Sequence, residues 1–144
     1  MVLEPMRRIT GAALPALVAS MLMCGAAVAQ PAVDCANAET QMEMNYCAER
    51  DYLAADADLN EIYPHAIEAM RQIDSYLEPA QRGAVESLRS AQRAWIPFRD
   101  KACEAEGYLV SGGTMMPMII YGCLERLTRQ RVKDLEFLVE GMGN

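Results

Sequence analysis

The sequence predicts an all-α, disulfide-stapled, antiparallel three-helix bundle with proline-kinked helices. Three observations carry this expectation. The chain has helix-forming composition from Thr40 onward, it keeps four cysteines once an N-terminal export segment is set aside, and its connections are short enough to fold long consecutive helices against one another.

The first 29 residues read as a signal peptide. Arg7 and Arg8 form a short positive region, Ile9 to Ala27 is an apolar run without a charge, and Ala27-Val28-Ala29 has the small-x-small form that signal peptidase accepts. Cleavage is therefore expected after Ala29, leaving a leader over 30–39 and a helical domain over 40–141. An uncleaved anchor is the competing reading, but Gly11, Pro15, Ser20 and Gly25 dilute the hydrophobic run. Lipidation at Cys24 is disfavoured because Met23, directly before it, is larger than the small residue such a site needs.

Loss of that segment removes Arg7, Arg8 and Glu4, which moves the net charge from −7 to about −8. So acidic a chain is a poor partner for nucleic acid or anionic lipid, and no stable membrane insertion is expected after cleavage. Its length suits a single domain near the size at which covalent staples become useful.

Cys35, Cys47, Cys103 and Cys123 make an even set in an oxidising compartment, so two disulfides are expected. A four-thiolate metal site calls for closer spacing than the twelve residues that separate Cys35 from Cys47. Four cysteines allow three pairings. The local one is preferred here, Cys35 with Cys47 and Cys103 with Cys123, because it ties the leader to the first helix and closes the Gly-rich connection. Each bridge would stabilise by about 3 kcal/mol through loop closure.

The first helix is expected from about Thr40 to about Gln72, with Met42, Tyr46, Leu53, Ala57, Asn60 and Ile67 near one stripe and a kink near Tyr63 caused by Pro64. A short connection over Asp74 to Glu78 follows, and Pro79 suits the first position of a second helix. Leu88, Ala91, Trp95, Phe98 and Ala102 mark its expected buried face; it should reach about Glu106 and bend at Pro97. Gly107 to Thr114 has no helical period and reads as a loop. Thr114 or Met116 would cap a third helix carrying Ile119, Ile120, Cys123, Leu127, Leu135 and Leu138 and ending near Gly141.

Polar residues recur at helical spacing on two of these helices: Asp56, Asn60 and Tyr63 on the first, Gln92, Trp95 and Arg99 on the second. If the faces meet, Asp56 and Arg99 form a charge-assisted pair, and Asn60 and Gln92 supply the hydrogen bonds that buried polar groups require. A structural network fits better than catalysis, since acid–base chemistry needs a second titrating partner in a cleft. His65, the only histidine, follows Pro64 on an expected surface turn, and Gly112-Gly113 lacks the lysine of a phosphate loop. No catalytic residue and no cofactor are assigned. Met115, Met116 and Met118, with Met42 and Met44, leave Cu(I) binding by an envelope protein as a weaker alternative, against the commoner use of methionine as core filler.

The joint pattern of Cys35, Asn45-Tyr46-Cys47-Ala48, Ala55-Asp56, Leu59-Asn60, Tyr63, Ala91-Gln92-Arg93, Trp95, Phe98-Arg99-Asp100, Cys103, Gly112-Gly113-Thr114, Cys123, Thr128 and Arg131 resembles the lysozyme inhibitor LprI family domain, over about residues 35–138. The resemblance implies a helical, secreted or envelope-bound domain whose namesake is a mycobacterial lipoprotein that inhibits lysozyme. The chain departs from that namesake at Cys24, which lacks a convincing lipidation context. Implied with the family is a periplasmic or secreted, non-enzymatic binding protein that occludes a wall-degrading enzyme, with a basic lysozyme as its protein partner. Ser111, Gly112, Gly113 and Thr114 are the expected docking loop, with Asp100, Glu104 and Glu106 as acidic neighbours. An immunity or envelope-stress protein directed at a bacterial enzyme is a further alternative. Oligomeric state is not legible.

Overall fold

A computed structural model describes residues 33–141; the expected signal peptide, its cleavage site and Cys24 lie outside the described residues. Three helices order the described residues: α1 (Gln41–Tyr76), α2 (Ala84–Gly107) and α3 (Met116–Glu140), with single 3₁₀ turns at Pro79–Gln81 and Tyr108–Val110. No strand occurs among the described residues.

Each helix starts where local chemistry supplies partners for its free N–H groups. At α1, the Thr40 hydroxyl accepts from the Glu43 N–H (3.2 Å) and the Glu43 carboxylate accepts from the Thr40 N–H (2.9 Å), a capping box. The backbone N–H of Thr40, with its hydroxyl and the N–H of Glu39, holds the Glu43 carboxyl below its usual pKa. At α2 the cap comes from another helix. Asp74, in the last turn of α1, accepts from the N–H groups of Gly83 (2.8 Å), Ala84 (2.9 Å) and Val85 (3.1 Å), and these bonds lower its pKa. Pro79 therefore opens a separate 3₁₀ turn rather than α2 itself, and α2 starts five residues later than expected because Asp74 sets its first turn. Pro117 stands in the first turn of α3, where neither Thr114 nor Met116 supplies a side-chain cap. Gly141, at φ 72°, terminates α3. α1 and α2 both continue through their prolines as unbroken helices, with Pro64 and Pro97 at exposed positions.

Contacts between helices give the direction of packing. Asp56 meets Arg99 and Asp74 meets Gly83, so partners ascend along α1 while they descend along α2. Cys103 meets Cys123, Arg99 meets Thr128 and Gln92 meets Arg131, the same inversion between α2 and α3. Gln41 lies by Met118 and Asp58 by Arg129, so α1 and α3 ascend together. This order is consistent with an up-down-up bundle in which consecutive helices are antiparallel.

The hydrophobic core is Leu59, Ala66, Ile67 and Met70 of α1, Leu88 of α2 and Leu135 of α3, with Trp95, Tyr63, Val132 and Leu138 packed against it. It corrects the faces expected from sequence. Met42, Tyr46, Leu53, Ala57 and Asn60 are exposed, and the buried line of α1 runs instead through Cys47, Ala55, Leu59, Ala66, Ile67 and Met70. Likewise Ala91 and Phe98 of α2 face outward, while Leu88, Gln92, Arg99, Cys103 and Gly107 face inward. The physical reason is close approach: alanines at 55 and 66, both with no exposed surface, let helices come together where larger side chains would hold them apart.

The core lies toward the end where α1 turns into α2. At the opposite end, the leader is joined to α1 by Cys35–Cys47 and α2 to α3 by Cys103–Cys123, both in the local pairing. One end is thus held by apolar packing and the other by sulfur.

Candidate functional site

The α2–α3 connection is shaped by its glycines. Gly107 closes α2 against Ile120 so tightly that a Cβ there would lie 2.6 Å from Ile120 Cγ1. After the Tyr108–Val110 turn, Gly112 adopts φ 79°, a left-handed conformation suited to glycine. The N–H groups of Ser111, Gly113 and Met116 donate to the carbonyls of Tyr108, Val110 and Gly113, so the segment is a chain of tight turns. Ser111, Gly112, Gly113 and Thr114 are all exposed, and the Cys103–Cys123 bridge closes the base of the loop. Asn45 of α1 latches it: its Nδ2 donates to the Thr114 carbonyl at 3.0 Å, while its Oδ1 accepts from Gln41 Nε2 at 2.9 Å.

Beside this loop lies a mainly apolar cavity of about 430 Å³ lined by Gly113, Met116, Pro117, Ile120 and Tyr121. Its wall is fixed by the Tyr121 hydroxyl, which donates to Glu49 Oε1 at 3.1 Å, and by stacking of the Tyr121 ring on Tyr52 with centroids 6.1 Å apart. The bond to Glu49, together with burial, raises the Tyr121 pKa. A second concavity of about 290 Å³ between α1 and α3 is lined by Asp58, Glu61, His65 and Glu136 around Ile62 and Val132; Asp58 there pairs with Arg129 at 3.2 Å.

The polar residues form two groups. In the first, Arg99 is buried and donates to Asp56 Oδ1 (3.2 Å), Asp100 Oδ1 (2.9 Å) and Thr128 Oγ1 (3.3 Å). Its guanidinium carbon lies 5.1 Å from the Trp95 ring and 5.5 Å from the Tyr52 ring, within cation–π range of both. Burial opposes the Arg99 charge, but the bond to Asp100 and its neighbours outweigh it and hold the pKa above the ordinary arginine value. Asn60 Nδ2 donates to Asp56 Oδ2 at 3.0 Å and stays on its own helix. Gln92 belongs to the second group, accepting from Arg131 Nε at 3.0 Å, while Arg131 Nη2 is buried without a hydrogen-bond partner among the described residues. Tyr63 packs against the hydrophobic core.

Three contacts were not legible from sequence: Tyr52 over Arg99, Asn45 on the loop carbonyl, and Glu49 on Tyr121. Each joins a residue of α1 to one far along the chain, at a separation that no motif encodes. The methionines also diverge in role. Met116 lines the cavity, Met118 Sδ lies 3.7 Å from Gln41 Nε2, and Met115 is 40% exposed. Among the described residues, no group of three or more His, Cys, Asp or Glu side chains is placed to hold a metal ion, and no helix is long and apolar enough to cross a membrane.

A helical domain with a disulfide-closed turn loop and a polar centre tied up in internal bonds defines a class of small all-helical, disulfide-bonded proteins. Within that class the chain belongs to the lysozyme inhibitor LprI family, whose model matches residues 33–135. It is 47% identical over 139 residues to the uncharacterized protein R02472 of Rhizobium meliloti (strain 1021), covering 92% of this chain and 99% of that one. Over a shorter stretch of 59 residues it is 34% identical to the uncharacterized protein YecT of Escherichia coli (strain K12), covering 40% of this chain and 36% of that one. No solved structure is significantly similar.

Proposed function

We propose that this is an exported, non-enzymatic binding protein that inhibits a lysozyme-type enzyme by occluding it. It acts in the periplasm or after secretion, once residues 1–29 have been removed. The observation that carries the reading is membership of the lysozyme inhibitor family over 33–135, a match that includes the loop and both disulfides.

Geometry supports it in two ways. The titratable groups at the centre of the bundle are engaged with one another: Asp56 and Asp100 face a buried guanidinium, so their role is to support the fold. The exposed Ser111–Thr114 loop, in contrast, is pre-organised by a disulfide, a left-handed glycine and the Asn45 latch, and so loses little entropy on docking. The net charge of about −8 left once residues 1–29 are removed steers the protein toward strongly basic lysozymes.

The test is turbidimetric lysis of cell walls by a basic animal lysozyme, titrated with the oxidised protein lacking residues 1–29. Dose-dependent protection is expected; absence of protection across several lysozyme types removes the reading. A mass spectrum of the protein exported by its own host should show an N-terminus at Gln30 without added lipid.

A further inference from the structure

The two ends of the molecule are built differently, and the difference bears on recognition. At the core end, large apolar side chains are turned inward around Leu135 and Leu59. At the disulfide end, covalent bridges perform the bracing, and apolar side chains are exposed as Tyr76 and Phe137 are at the core end, but here they adjoin an apolar cavity. Leu109 is 84% exposed, Met42 80% and Tyr108 62%. Met115, also exposed, follows the loop directly. All lie on or beside the segment closed by Cys103–Cys123, or on the first turn of α1 next to Met118.

Exposed apolar residues around a pre-formed apolar cavity are the signature of a docking surface, because leaving them in water opposes solubility unless something covers them. The cavity of about 430 Å³ is open to solvent on one side and braced on the other. Gly107 packs directly on Ile120, and the Tyr121 hydroxyl is held by Glu49, so two of its walls are pinned from behind. It is roomy enough for one large apolar side chain.

Charge identifies the kind of partner. The carboxylates of Glu43 and Glu49, both on the α1 segment next to this surface, accept from neutral groups, the Glu39 and Thr40 backbone N–H, the Thr40 hydroxyl and the Tyr121 phenol. Neither carboxylate takes part in an ion pair among the described residues, and the chain as a whole carries −7. We infer that the disulfide end is a docking face for a cationic protein, which inserts an apolar side chain into the Met116–Ile120–Tyr121 cavity under the collar of Leu109 and Met115 and sets basic groups against Glu43 and Glu49. This rests on the inhibitor reading and adds to it an anchor beside the Ser111–Thr114 loop, with which it shares Gly113.

The inference is tested on the oxidised protein lacking residues 1–29, with a basic animal lysozyme as probe and lysis inhibition and surface plasmon resonance as readouts. Leu109→Glu/Met115→Glu adds two negative charges, which by charge alone would strengthen binding to a cation. A rise of tenfold or more in Kd, expressed mainly in dissociation rate, is therefore expected only if the collar makes apolar contact. Ser87→Glu/Ser90→Glu, with the same added charge on exposed positions near the start of α2, should bind as well as the unmodified protein or better. Should the double collar variant lose helix content, Leu109→Ser and Met115→Ser measured singly give the same comparison. Equal Kd for the collar variants and the unmodified protein overturns the docking face while leaving inhibition standing. Failure of the unmodified protein to bind any basic lysozyme removes both.

Discussion

Arg99 of α2 reaches Asp56 of α1 across 3.2 Å, and with Thr128 of α3 at 3.3 Å it is a single side chain bonded to all three helices. The pair is unequal: the Arg99 side chain is 8% exposed and that of Asp56 35%. Asp100, on the same helix, takes a second bond at 2.9 Å.

That inequality predicts unequal mutational effects. Arg99→Ala leaves Thr128 and Asp100 without this donor and Asp56 with Asn60 alone, and it empties the buried place of the guanidinium beside Trp95 and Tyr52, so a loss of about 3 kcal/mol is expected. Asp56→Ala leaves Asp100 on the guanidinium, and water screens the half-exposed site, so about 1 kcal/mol is expected. Urea unfolding of the oxidised protein, followed by helical circular dichroism, measures both.

Asp74 predicts a response to acid. Its carboxyl pKa is lowered by bonds to the N–H groups of Gly83, Ala84 and Val85, so the folded state favours the ionised form. The stabilisation is complete above the ordinary carboxylate value of 3.8 and is lost as pH falls through the lower folded value. Asp74→Ala should lower Tm by about 5 °C at pH 7, and the gap between variant and parent should narrow below pH 4. Thermal melts from pH 7 to pH 2 give the comparison.

Removal of Cys103–Cys123 by a double serine substitution should cost about 3 kcal/mol of stability. The loss should also be local. Amide exchange should quicken from Gly107 to Ile120, where the bridge closes the loop, and change little from Leu59 to Met70, which the apolar core holds. Uniform acceleration along the chain would show that the two ends are not independently braced.

Gly107→Ala tests the cavity wall. Helix propensity alone would favour alanine by about 1 kcal/mol at this helical position. Contact at 2.6 Å with Ile120 Cγ1 and 2.8 Å with Cδ1 opposes it more strongly, so net destabilisation of about 1 kcal/mol is expected, with displacement of Ile120 and Met116 around the cavity. A Tm equal to or above that of the parent would mean that Ile120 yields freely.

Much of the architecture was readable from residue order. Helix-forming composition from Thr40 onward announced the start of α1, the glycines around 112 announced the loop, and the cysteine pairing preferred for tying the leader and closing the Gly-rich connection is the one the structure contains. The inward faces were readable only in part: Ile67, Leu88, Cys123 and Leu135 are buried as expected, but hydropathy alone ranks Met42, Leu53 and Phe98 above Ala55, Gln92 and Thr128. Burial here follows how closely helices approach and whether a polar group has a partner: Thr128 has no exposed surface because Arg99 donates to it, and Ala55 has none because it is small. The cavity beside the loop was equally hidden, since Met116, Ile120 and Tyr121 form a wall only once Gly107 and Glu49 have been brought to them from other helices.

Each sulfur bridge joins neighbours in the order of synthesis, Cys35 to Cys47 and then Cys103 to Cys123. In a chain that emerges amino end first, Cys35 meets Cys47 before Cys103 or Cys123 exists, and Cys103 and Cys123 follow once that pair is closed, so oxidation can proceed in sequence without reshuffling. Maturation of this protein therefore needs an oxidant but places little demand on an isomerase.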